Sequence, residues 1–492
     1  MPVRSFNREQ NWLLPPSLDE LLPTDHPARF VAMIIDSQDK AGWEKLEIKI
    51  EGEERGAPNY HPRVMLGVWL YGFMNGIRSS RKLEAACRDQ IPFLWLTGWQ
   101  HPDHNSLWRF YKEHRLKMRL LFKMTVKTAV KMNLLDLAVQ AIDGTKMGAN
   151  AAKDRTFDRN GLQKLLERTE KRIEELEKEN ESGLDPAPVH LPEKLKQAEQ
   201  LRTEVKKALE KLADEEADKH LNLTDSETKL VKTRQGVTPG YNMQAAVSPV
   251  KGSQQKQVLI TAEEVVMDAN DTQQLIPVIE QARENSGEKA AVTLADAGYH
   301  SGKNLVDCED IKQSVVMPEG ETKKISQPYH KDHFTYQPES DSYICPQGQT
   351  LTYRGLKKVH NETRRVYRGN VENCLNCHAF GTCTHDRHNG RELKIGEYEK
   401  QLRRHREWMK SEEARQLYRQ RKMLIEMVFG TIKEALGMRR FWLRGLQKVR
   451  SEAAMMATAF NLKTLFSLWR QQPGEHAKWF QAFHEVSQAL AG

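Results

Sequence analysis

Three acidic residues lie far apart in the sequence at positions where their carboxylates could act together. Asp143 and Asp296 each end a short apolar run, and Glu426 lies in a segment with helical character. Converging carboxylates bind divalent metal ions, because Mg²⁺ prefers oxygen ligands and keeps several of its waters. Metal ions held in this way activate water and stabilise the leaving oxygen when a phosphodiester bond is cleaved. The three acids therefore suggest metal-dependent chemistry on a nucleic acid.

Basic residues share a helix face with Glu426. At about 100° per residue, the residues that lie within about 40° of it around the helix are Arg419, Lys422, Gly430 and Lys433. An acid flanked by cations, with a glycine that permits close approach, suits a metal-binding carboxylate beside phosphate-binding groups. The alternative is a surface ion pair between Lys422 and Glu426, which would contribute only about 0.2–0.5 kcal/mol.

Two strands are expected to position the aspartates. The apolar runs 137–143 and 291–296 each predict a strand that ends in an Asp. Each Asp shares the side-chain alternation of the apolar residues before it, so both should emerge at the carboxyl end of a buried strand, where α/β active sites usually lie. For either Asp alone, a turn residue is the alternative. Asp268 and Asp271 are competing acids, but their surroundings predict a loop.

Four of the six cysteines are clustered, namely Cys345, Cys374, Cys377 and Cys383. Thiolates in such a cluster bind zinc tetrahedrally at about 2.3 Å, as in zinc ribbons. Because the cluster holds a single Cys-x-x-Cys pair, unligated thiols remain the alternative. Six cysteines in so long a chain do not predict a disulfide scaffold.

The remaining patterns divide the chain into a helical N-terminal part, an interrupted α/β core and two insertions. The predicted segments are a helical N-terminal DNA-binding domain (1–135), the first part of a catalytic core (136–156), a helical hairpin (157–220), the rest of the core (221–324), a Cys-rich insertion (325–395), C-terminal catalytic helices (396–470) and a tail (471–492). A plain helical docking domain is the alternative for the first segment. The hairpin is expected to be a spacer, with a dimerising or DNA-gripping arm as its alternative.

The charge of the chain suits a polyanionic partner. The formal net charge is +8, and between residues 401 and 450 Lys and Arg outnumber Asp and Glu by about three to one. A solvated basic helix is the alternative. No apolar segment follows a basic N-terminal start, and no apolar stretch reaches membrane-spanning length. We therefore expect a cytoplasmic protein with no membrane partner.

Several short motifs follow one another along the chain. The most characteristic are Tyr60-His-Pro62, residues 66–87, residues 102–104, Ile142-Asp-Gly-Thr-Lys146, Gly240-Tyr-Asn-Met-Gln244, Asn270-Asp271, Ala295-Asp-Ala-Gly-Tyr299, Phe429-Gly-Thr-Ile-Lys433 and Arg440-Phe-Trp-Leu-Arg-Gly445. Their number and order make the chain resemble, over nearly its whole length, bacterial insertion-sequence transposases of the DDE superfamily.

This resemblance implies a fold and an activity. The fold would be an α/β ribonuclease-H-like catalytic core with a mostly α N-terminal domain, a helical-hairpin insertion and a Cys-rich, zinc-ribbon-like insertion. Asp143, Asp296 and Glu426 would be the catalytic triad and hold two Mg²⁺ (or Mn²⁺) ions, which cleave transposon ends and join the freed 3′-hydroxyl to target DNA. The partners would be double-stranded DNA, which includes the terminal inverted repeats and the target, and a second copy of the chain. The protein would be associated with the bacterial nucleoid.

The residues that would bind phosphate depart from the family pattern. In related transposases a Tyr and an Arg stand seven and four residues before the Glu, whereas Tyr418 and Arg421 stand one residue further back. The facing positions hold other cations, so the choice among the five phosphate-binding candidates stays open; these are Lys433, Lys422, Arg419, Arg421 and Tyr418. The alternative functions are a DNA-binding protein that no longer transposes and a metal-dependent nuclease without strand transfer.

Overall fold

The computed structural model describes residues 17–50, 59–181, 193–214, 219–233, 236–253, 257–320, 328–359 and 362–491. The N-terminal part is helical, and its helices are α1 (Pro27–Asp36), α2 (Lys40–Lys45), α3 (Pro62–Met74), α4 (Ser80–Asp89), α5 (Ile91–Thr97), α6 (His104–His114) and α7 (Arg119–Lys131). Proline opens α1 and α3, where its missing N–H costs no helical hydrogen bond. All residues of α3 from Met65 to Met74 are buried.

A mixed sheet forms the centre of the structure. The strands up to residue 320 are β1 (Val139–Gly148), β2 (Thr156–Phe157), β3 (Leu221–Asn222), β4 (Lys229–Thr233), β5 (Gly236–Pro249), β6 (Val258–Val266), β7 (Val292–Leu294) and β8 (Ser314–Val316). The order across the central sheet is β4-β5-β1-β7-β8, and β6 also pairs with β5. Antiparallel pairing joins β1, β5 and β6, whereas β7 and β8 run parallel to β1.

Strand β1 is longer than the sequence pattern predicts. The strand that was expected to end at Asp143 continues to Gly148, because residues 144–148 keep pairing with β5. Its pairing with β7 stops earlier, at the pair Ala141 and Leu294. Asp143 therefore lies within a long strand, at the level where the neighbouring strand β7 ends.

Helices cover both faces of the central sheet. Helices α8 (Arg159–Glu181) and α9 (Glu193–Asp214) come earlier in the chain and pack against each other. Helices α10 (Leu275–Ser286) and α11 (Gly302–Asp310) pack on one face, around Ile142. The adjacent Ala141 points to the opposite face and belongs to a larger core shared with the N- and C-terminal helices. The alternation of side chains along β1 thus separates two layers.

The helices α8 and α9 pack against each other where a helical hairpin is predicted. Leu162 on α8 and Val205 and Leu212 on α9 form an apolar seam with Leu221 of β3. Strands β2 and β3 pair at the base of these helices. The predicted turn between the helices, 182–192, lies outside the described residues.

A second sheet follows the central one in the chain. Its elements are β9 (Thr335–Gln337), β10 (Ser342–Ile344), β11 (Thr350–Val359), β12 (Glu362–Gly369), α12 (Val371–Leu375) and β13 (Glu392–Ile395). The strands are antiparallel, in the order β13-β12-β11-β10-β9. Phe334, Tyr343, Leu351 and Tyr367 are the larger members of its small core.

The last helices return to the central sheet and to the N-terminal part. They are α13 (Glu399–Trp408), α14 (Glu412–Gly430), α15 (Leu446–Gln471) and α16 (His476–Ala491). Helix α14 packs across β1 and β5, and α15 packs against β6, α3 and α7. Most of the predicted tail forms α16, which packs against α2 and α7.

A buried ion pair joins the N-terminal helices to α15. Nη1 of Arg78 donates to Oε1 of Glu452 at 2.6 Å, and the side chains are 4% and 3% exposed. Glu452 also accepts hydrogen bonds from the backbone N–H groups of Trp442 and Leu443. The guanidinium of Arg78 lies 4.7 Å from the centre of the Trp442 ring. This basic residue therefore stabilises the core and adds no charge to the surface.

Replacing Glu452 with Ala should lower the free energy of unfolding by about 3–5 kcal/mol, because Arg78 would then be buried without its partner. The matched control is Arg81→Ala, which removes an exposed charge from α4 and should change stability by less than about 0.5 kcal/mol. Urea unfolding followed by circular dichroism measures both. Equal effects of the two substitutions would contradict the structural role of the pair.

Candidate active site

The two aspartates predicted from the strand patterns lie side by side. Strands β1 and β7 run parallel, with Ala141 opposite Leu294. Asp143 and Asp296 each follow that pair by two residues, so both side chains leave the sheet on the same side. In each Asp, Oδ1 accepts a hydrogen bond of 2.8 Å from a nearby backbone N–H. The local backbone therefore orients both carboxylates.

One guanidinium joins these carboxylates. Nη2 of Arg421 lies 2.9 Å from Oδ2 of Asp143 and 3.7 Å from Oδ2 of Asp296. Arg421 lies on the inner face of α14 with the buried Ile425 and Val428, and 14% of its side chain is exposed. Tyr418, one turn earlier, contacts Arg421, and burial raises the pKa of its hydroxyl. The two aspartates thus form a position that binds positive charge.

Burial raises the pKa of Asp143 from its ordinary value of 3.8 to about 6. The positive charge of Arg421 lowers this pKa, whereas Asp296 and Asp271 raise it further. Neighbouring carboxylates in a partly buried site cannot all stay ionised without a cation. The negative charge of the neighbouring acids is therefore not fully offset by the one guanidinium.

Asp271, one of the two acids for which the sequence predicts a loop, lies close enough to Asp143 to influence its charge. Its Oδ1 accepts hydrogen bonds from Nζ of Lys146 at 3.1 Å, Nδ2 of Asn242 at 2.6 Å and Nε2 of Gln244 at 2.7 Å. A Cβ at Gly144 would lie 2.5 Å from this oxygen, so only glycine permits the approach. Two polar residues at alternate positions of a buried strand were the signal that could have revealed the network.

The network continues beneath the site. The hydroxyl of Tyr299 donates to Oε1 of Gln244, and burial raises its pKa well above the ordinary range. Asn242 and Gln244 are fully buried. Within the described residues, Oδ1 of Asn242 and Nε of Arg421 are buried without a hydrogen-bond partner. The environment of the aspartates is therefore polar but incompletely satisfied.

Other predicted site residues on α14 are exposed. Glu426, Lys422 and Arg419 lie on the outer side of the helix, and Nη1 of Arg419 is 3.9 Å from Oε1 of Glu412. In the part of the chain that the structure describes, Glu426 makes no hydrogen bond or ion pair with either aspartate. The helix thus presents Arg421 to the aspartates and leaves the Glu426 side open to solvent.

Lys433 lies beside β1. Its Nζ donates to Oγ1 of Thr145 at 2.6 Å and to the carbonyl oxygen of Lys146 at 3.1 Å. The projection that groups Lys433 with Glu426 assumes a regular α-helix. Residues Thr431–Ala435 instead form a π-helical turn, which shifts the helical phase. Lys433 therefore approaches the strand that carries Asp143.

The four clustered cysteines line one pocket of the second sheet. Backbone N–H groups of Gln347 and Gln349 donate to Sγ of Cys345 at 3.4 and 3.3 Å. Burial raises the pKa of Cys383, and the three other thiols add to this effect. Among the described residues, no group of three or more His, Cys, Asp or Glu side chains has the arrangement of a formed metal site.

Two segments of the chain match known families. Residues 16–113 match the family described as a transposase domain (DUF772), and residues 344–466 match the family described as a transposase DDE domain. The second segment includes Glu426, Arg421 and the clustered cysteines, whereas both aspartates precede it. A comparison with curated proteins gives no match.

A mixed α/β fold that carries a DDE domain defines the class as a transposase or nuclease enzyme. The two matches together indicate an insertion-sequence DDE transposase, and this confirms the resemblance found in the sequence. Such a domain implies DNA binding. Within the described ranges, no helix is long and apolar enough to cross a membrane.

The pKa of Asp143 predicts how stability depends on pH. This pKa is higher in the folded chain than the ordinary value, so stability falls as pH rises from about 4 to about 6. Arg421→Gln removes the charge that lowers the pKa, so the fall should continue above pH 6. The stability deficit of the variant should grow by up to about 1.4 kcal/mol per pH unit. Urea unfolding at pH 6, 7 and 8 measures it.

The control for this experiment is the same substitution in an Asp143→Asn background, where the deficit should not depend on pH. Arg419→Gln, which removes an exposed charge from the same helix, should leave the pH profile unchanged. A deficit of Arg421→Gln that stays constant from pH 6 to 8 would show that Arg421 does not control the ionisation of Asp143.

Proposed function

We propose that the chain cleaves DNA at the ends of its insertion sequence and transfers the freed 3′-hydroxyl into target DNA. The observation that carries this proposal is the convergence of Asp143 and Asp296 on one cation, the guanidinium of Arg421. Metal-dependent phosphodiester chemistry needs such a cation position between carboxylates. The DNA would be double-stranded, and its two sites would be the terminal inverted repeats and the target.

We assign the central sheet to the ribonuclease-H-like fold. The support is the strand arrangement, in which three strands joined by antiparallel pairing (β1, β5 and β6) are followed by β7 and β8 parallel to β1. The two aspartates lie on β1 and directly after β7, on the face that α14 covers. In this proposal the catalytic site lies where β7 ends, and the third acid, Glu426, comes from α14.

The side chains of the site fit divalent metal. The carboxylates already share a cation, and burial together with the neighbouring acids raises the pKa of Asp143 despite the charge of Arg421. Asp143, Asp296 and Glu426 would hold two Mg²⁺ (or Mn²⁺) ions. Divalent metal bound there would supply an activated attacking water and charge stabilisation at the leaving oxygen.

Side chains of the protein would position the DNA during two successive displacements. In the first, water attacks the phosphorus, the bond to the 3′ oxygen breaks, and the proton of the water goes to solvent. In the second, the freed 3′ oxygen attacks a target phosphodiester, whose own 3′ oxygen leaves. The guanidinium of Arg421 would also offer a bidentate contact to a phosphate of the DNA, supported by Tyr418.

The remaining cations would hold the DNA backbone. Lys433 lies next to β1 and is close to the reacting phosphate in this proposal. Lys422 and Arg419 are exposed on the same helix as Glu426. Because two transposon ends are joined in one event, we propose that the chain acts as a homodimer on DNA.

We further propose a structural zinc ion on Cys345, Cys374, Cys377 and Cys383. Two observations support it: all four thiols line one pocket, and backbone N–H groups already point at the sulfurs of Cys345 and Cys374. Hydrogen bonds of this kind stabilise thiolate ligands. Zinc bound to the four thiolates would stabilise the fold of the second sheet.

Cleavage of a supercoiled plasmid that carries the DNA flanking the gene tests the proposed activity. With Mg²⁺, the wild-type chain should nick the element ends and give joined products. Asp143→Asn, Asp296→Asn and Glu426→Gln should each lower cleavage at least about 100-fold, which exceeds the usual effect of replacing a residue that only supports the metal ligands. Cleavage without joined products would indicate a nuclease. Equal cleavage by wild type and Asp296→Asn would refute the carboxylate assignment.

Two further substitutions sharpen this test. Asp271→Asn should lower cleavage by about 10–100-fold, the usual effect of a residue that positions metal ligands. Asp268→Asn, an exposed acid of the same loop, is the matched control and should retain wild-type cleavage. If Asp271→Asn lost as much as Asp296→Asn while Glu426→Gln stayed active, the third carboxylate would be Asp271.

Chain purified without chelator should contain about one equivalent of zinc by mass spectrometry, and Cys374→Ser should lose most of it, because a four-thiolate site depends on every ligand. Cys87→Ser, which changes a buried thiol of the N-terminal core, should keep its zinc. Less than about half an equivalent in the wild-type chain would exclude a structural zinc site.

A further inference from the structure

The hairpin of β11 and β12 extends beyond the sheet to which it belongs. Strand β10 pairs with β11 only as far as Thr352, and β13 pairs with β12 only from Arg365 onwards. The two strands continue to pair with each other as far as Val359 and Glu362. We call residues 353–358 and 363–365 the outer ribbon. Residues 353–356 lie opposite 365–367, which still pair with β13, so within the described residues β11 and β12 pair alone at 357–359 and 362–364, at the end of the second sheet.

The outer ribbon is basic and contains no acidic residue. Its exposed side chains include Arg354, Lys357 and Lys358, for which the described part of the chain provides no ion pair. The acids at the base of the ribbon are already engaged, since Asp341 pairs with Arg365 and Glu392 with Arg368. The outer cations are therefore not neutralised by those acids.

The pairing of the ribbon places cations next to one another. Lys357 is directly opposite Arg364, so their side chains share one face of the ribbon. The strand pairing therefore brings basic residues together at this end of the second sheet.

Apolar side chains of the ribbon are also exposed. Leu356 is 66% exposed and Tyr353 is 40% exposed, and the guanidinium of Arg365 lies 4.8 Å from the centre of the Tyr353 ring. The pairing shifts register between Tyr353 and Gly355, which has φ +123°. A bulge of this kind increases the twist of a strand pair. The ribbon thus has a twisted, amphipathic and cationic surface.

We propose that the outer ribbon contacts the backbone of duplex DNA, with Arg354, Lys357 and Lys358 binding phosphates. The inference rests on the proposed function, because it assigns a surface for the substrate of that reaction. A two-stranded ribbon fits the major groove, which is about 12 Å wide. Because lysine contacts to phosphates carry no sequence information, the ribbon holds DNA of any sequence.

The salt dependence of DNA binding tests this assignment. Fluorescence anisotropy with the full chain and an arbitrary duplex of about 30 base pairs, without divalent metal, gives the slope of log K against log salt concentration. The variant Arg354→Gln/Lys357→Gln/Lys358→Gln should reduce the magnitude of this slope by about 0.9 for each lost phosphate contact, up to about 2.7. Its affinity at about 0.1 M salt should fall at least tenfold.

The matched control removes three exposed lysines from α8 and α9, as Lys164→Gln/Lys171→Gln/Lys207→Gln, and should keep the wild-type slope. Replacing Arg354 with Lys retains the charge and should also keep it. Circular dichroism and zinc content show whether each variant is folded. An unchanged slope in the folded ribbon variant, or equal changes in both triple variants, would overturn the proposal.

This test is independent of catalysis. No divalent metal is present during the binding measurement, so the slope is obtained without cleavage. If the ribbon variant kept the wild-type slope while the wild-type chain cleaved DNA normally, the proposal for the ribbon would be refuted and the proposed activity would stand. If the ribbon variant reduced the slope but the wild-type chain did not cleave DNA, the proposed activity would be refuted and the proposal for the ribbon would stand.

Discussion

Two aspartates that face the same point require a positive charge between them, and this requirement determines much of the surrounding structure. Arg421 supplies the charge, but it reaches the aspartates only because α14 packs across β1 with Ile425 and Val428 buried beneath it. The parallel pairing of β1 and β7 brings the acids together in turn. Sheet pairing, helix docking and charge compensation are therefore one coupled arrangement, in which loss of one element exposes unpaired charge in the others.

The ends of the chain provide the support that this arrangement needs. Helices α3 and α7 pack against α15, and α16 packs against α2 and α7. The N-terminal helices and the last helices thus share a single core with one face of the central sheet. The ion pair of Arg78 with Glu452 lies in this junction, and Glu452 also holds the backbone at Trp442. The segment between α14 and α15 is consequently fixed from the side of the N-terminal helices.

Much of the local structure could be predicted from the sequence, because it depends on short-range patterns. The alternation of apolar residues correctly predicts that Asp143 points to the same face as Ala141. The end of β1 could not be predicted, because residues 144–148 include two glycines and a lysine and are held in the strand by pairing with β5. That pairing spans about a hundred residues of sequence.

The candidate site shows the same limit. The pattern predicts Asp143, Asp296 and Glu426 as site residues but not which groups surround each of them, because helical projection assumes one constant phase. It grouped Lys433 with Glu426, and the π-helical turn directs Lys433 to Thr145 instead. The partners of Asp271 come from β1 and β5, so its role depends on tertiary pairing that no local pattern contains. Exposure of Arg419 likewise follows from which helix face meets the sheet.

A site of this kind reduces the stability of the fold. Ionising Asp143 is unfavourable in the folded chain, because burial and two neighbouring acids raise its pKa. Among the described residues, Oδ1 of Asn242 and Nε of Arg421 are also buried without partners, which costs about 1–3 kcal/mol for each group. Such costs persist only where the rest of the structure offsets them. The continuous core that α14 shares with the central sheet and the terminal helices supplies that compensation, so the site can keep excess acid and unsatisfied polar groups ready for cationic and phosphate ligands.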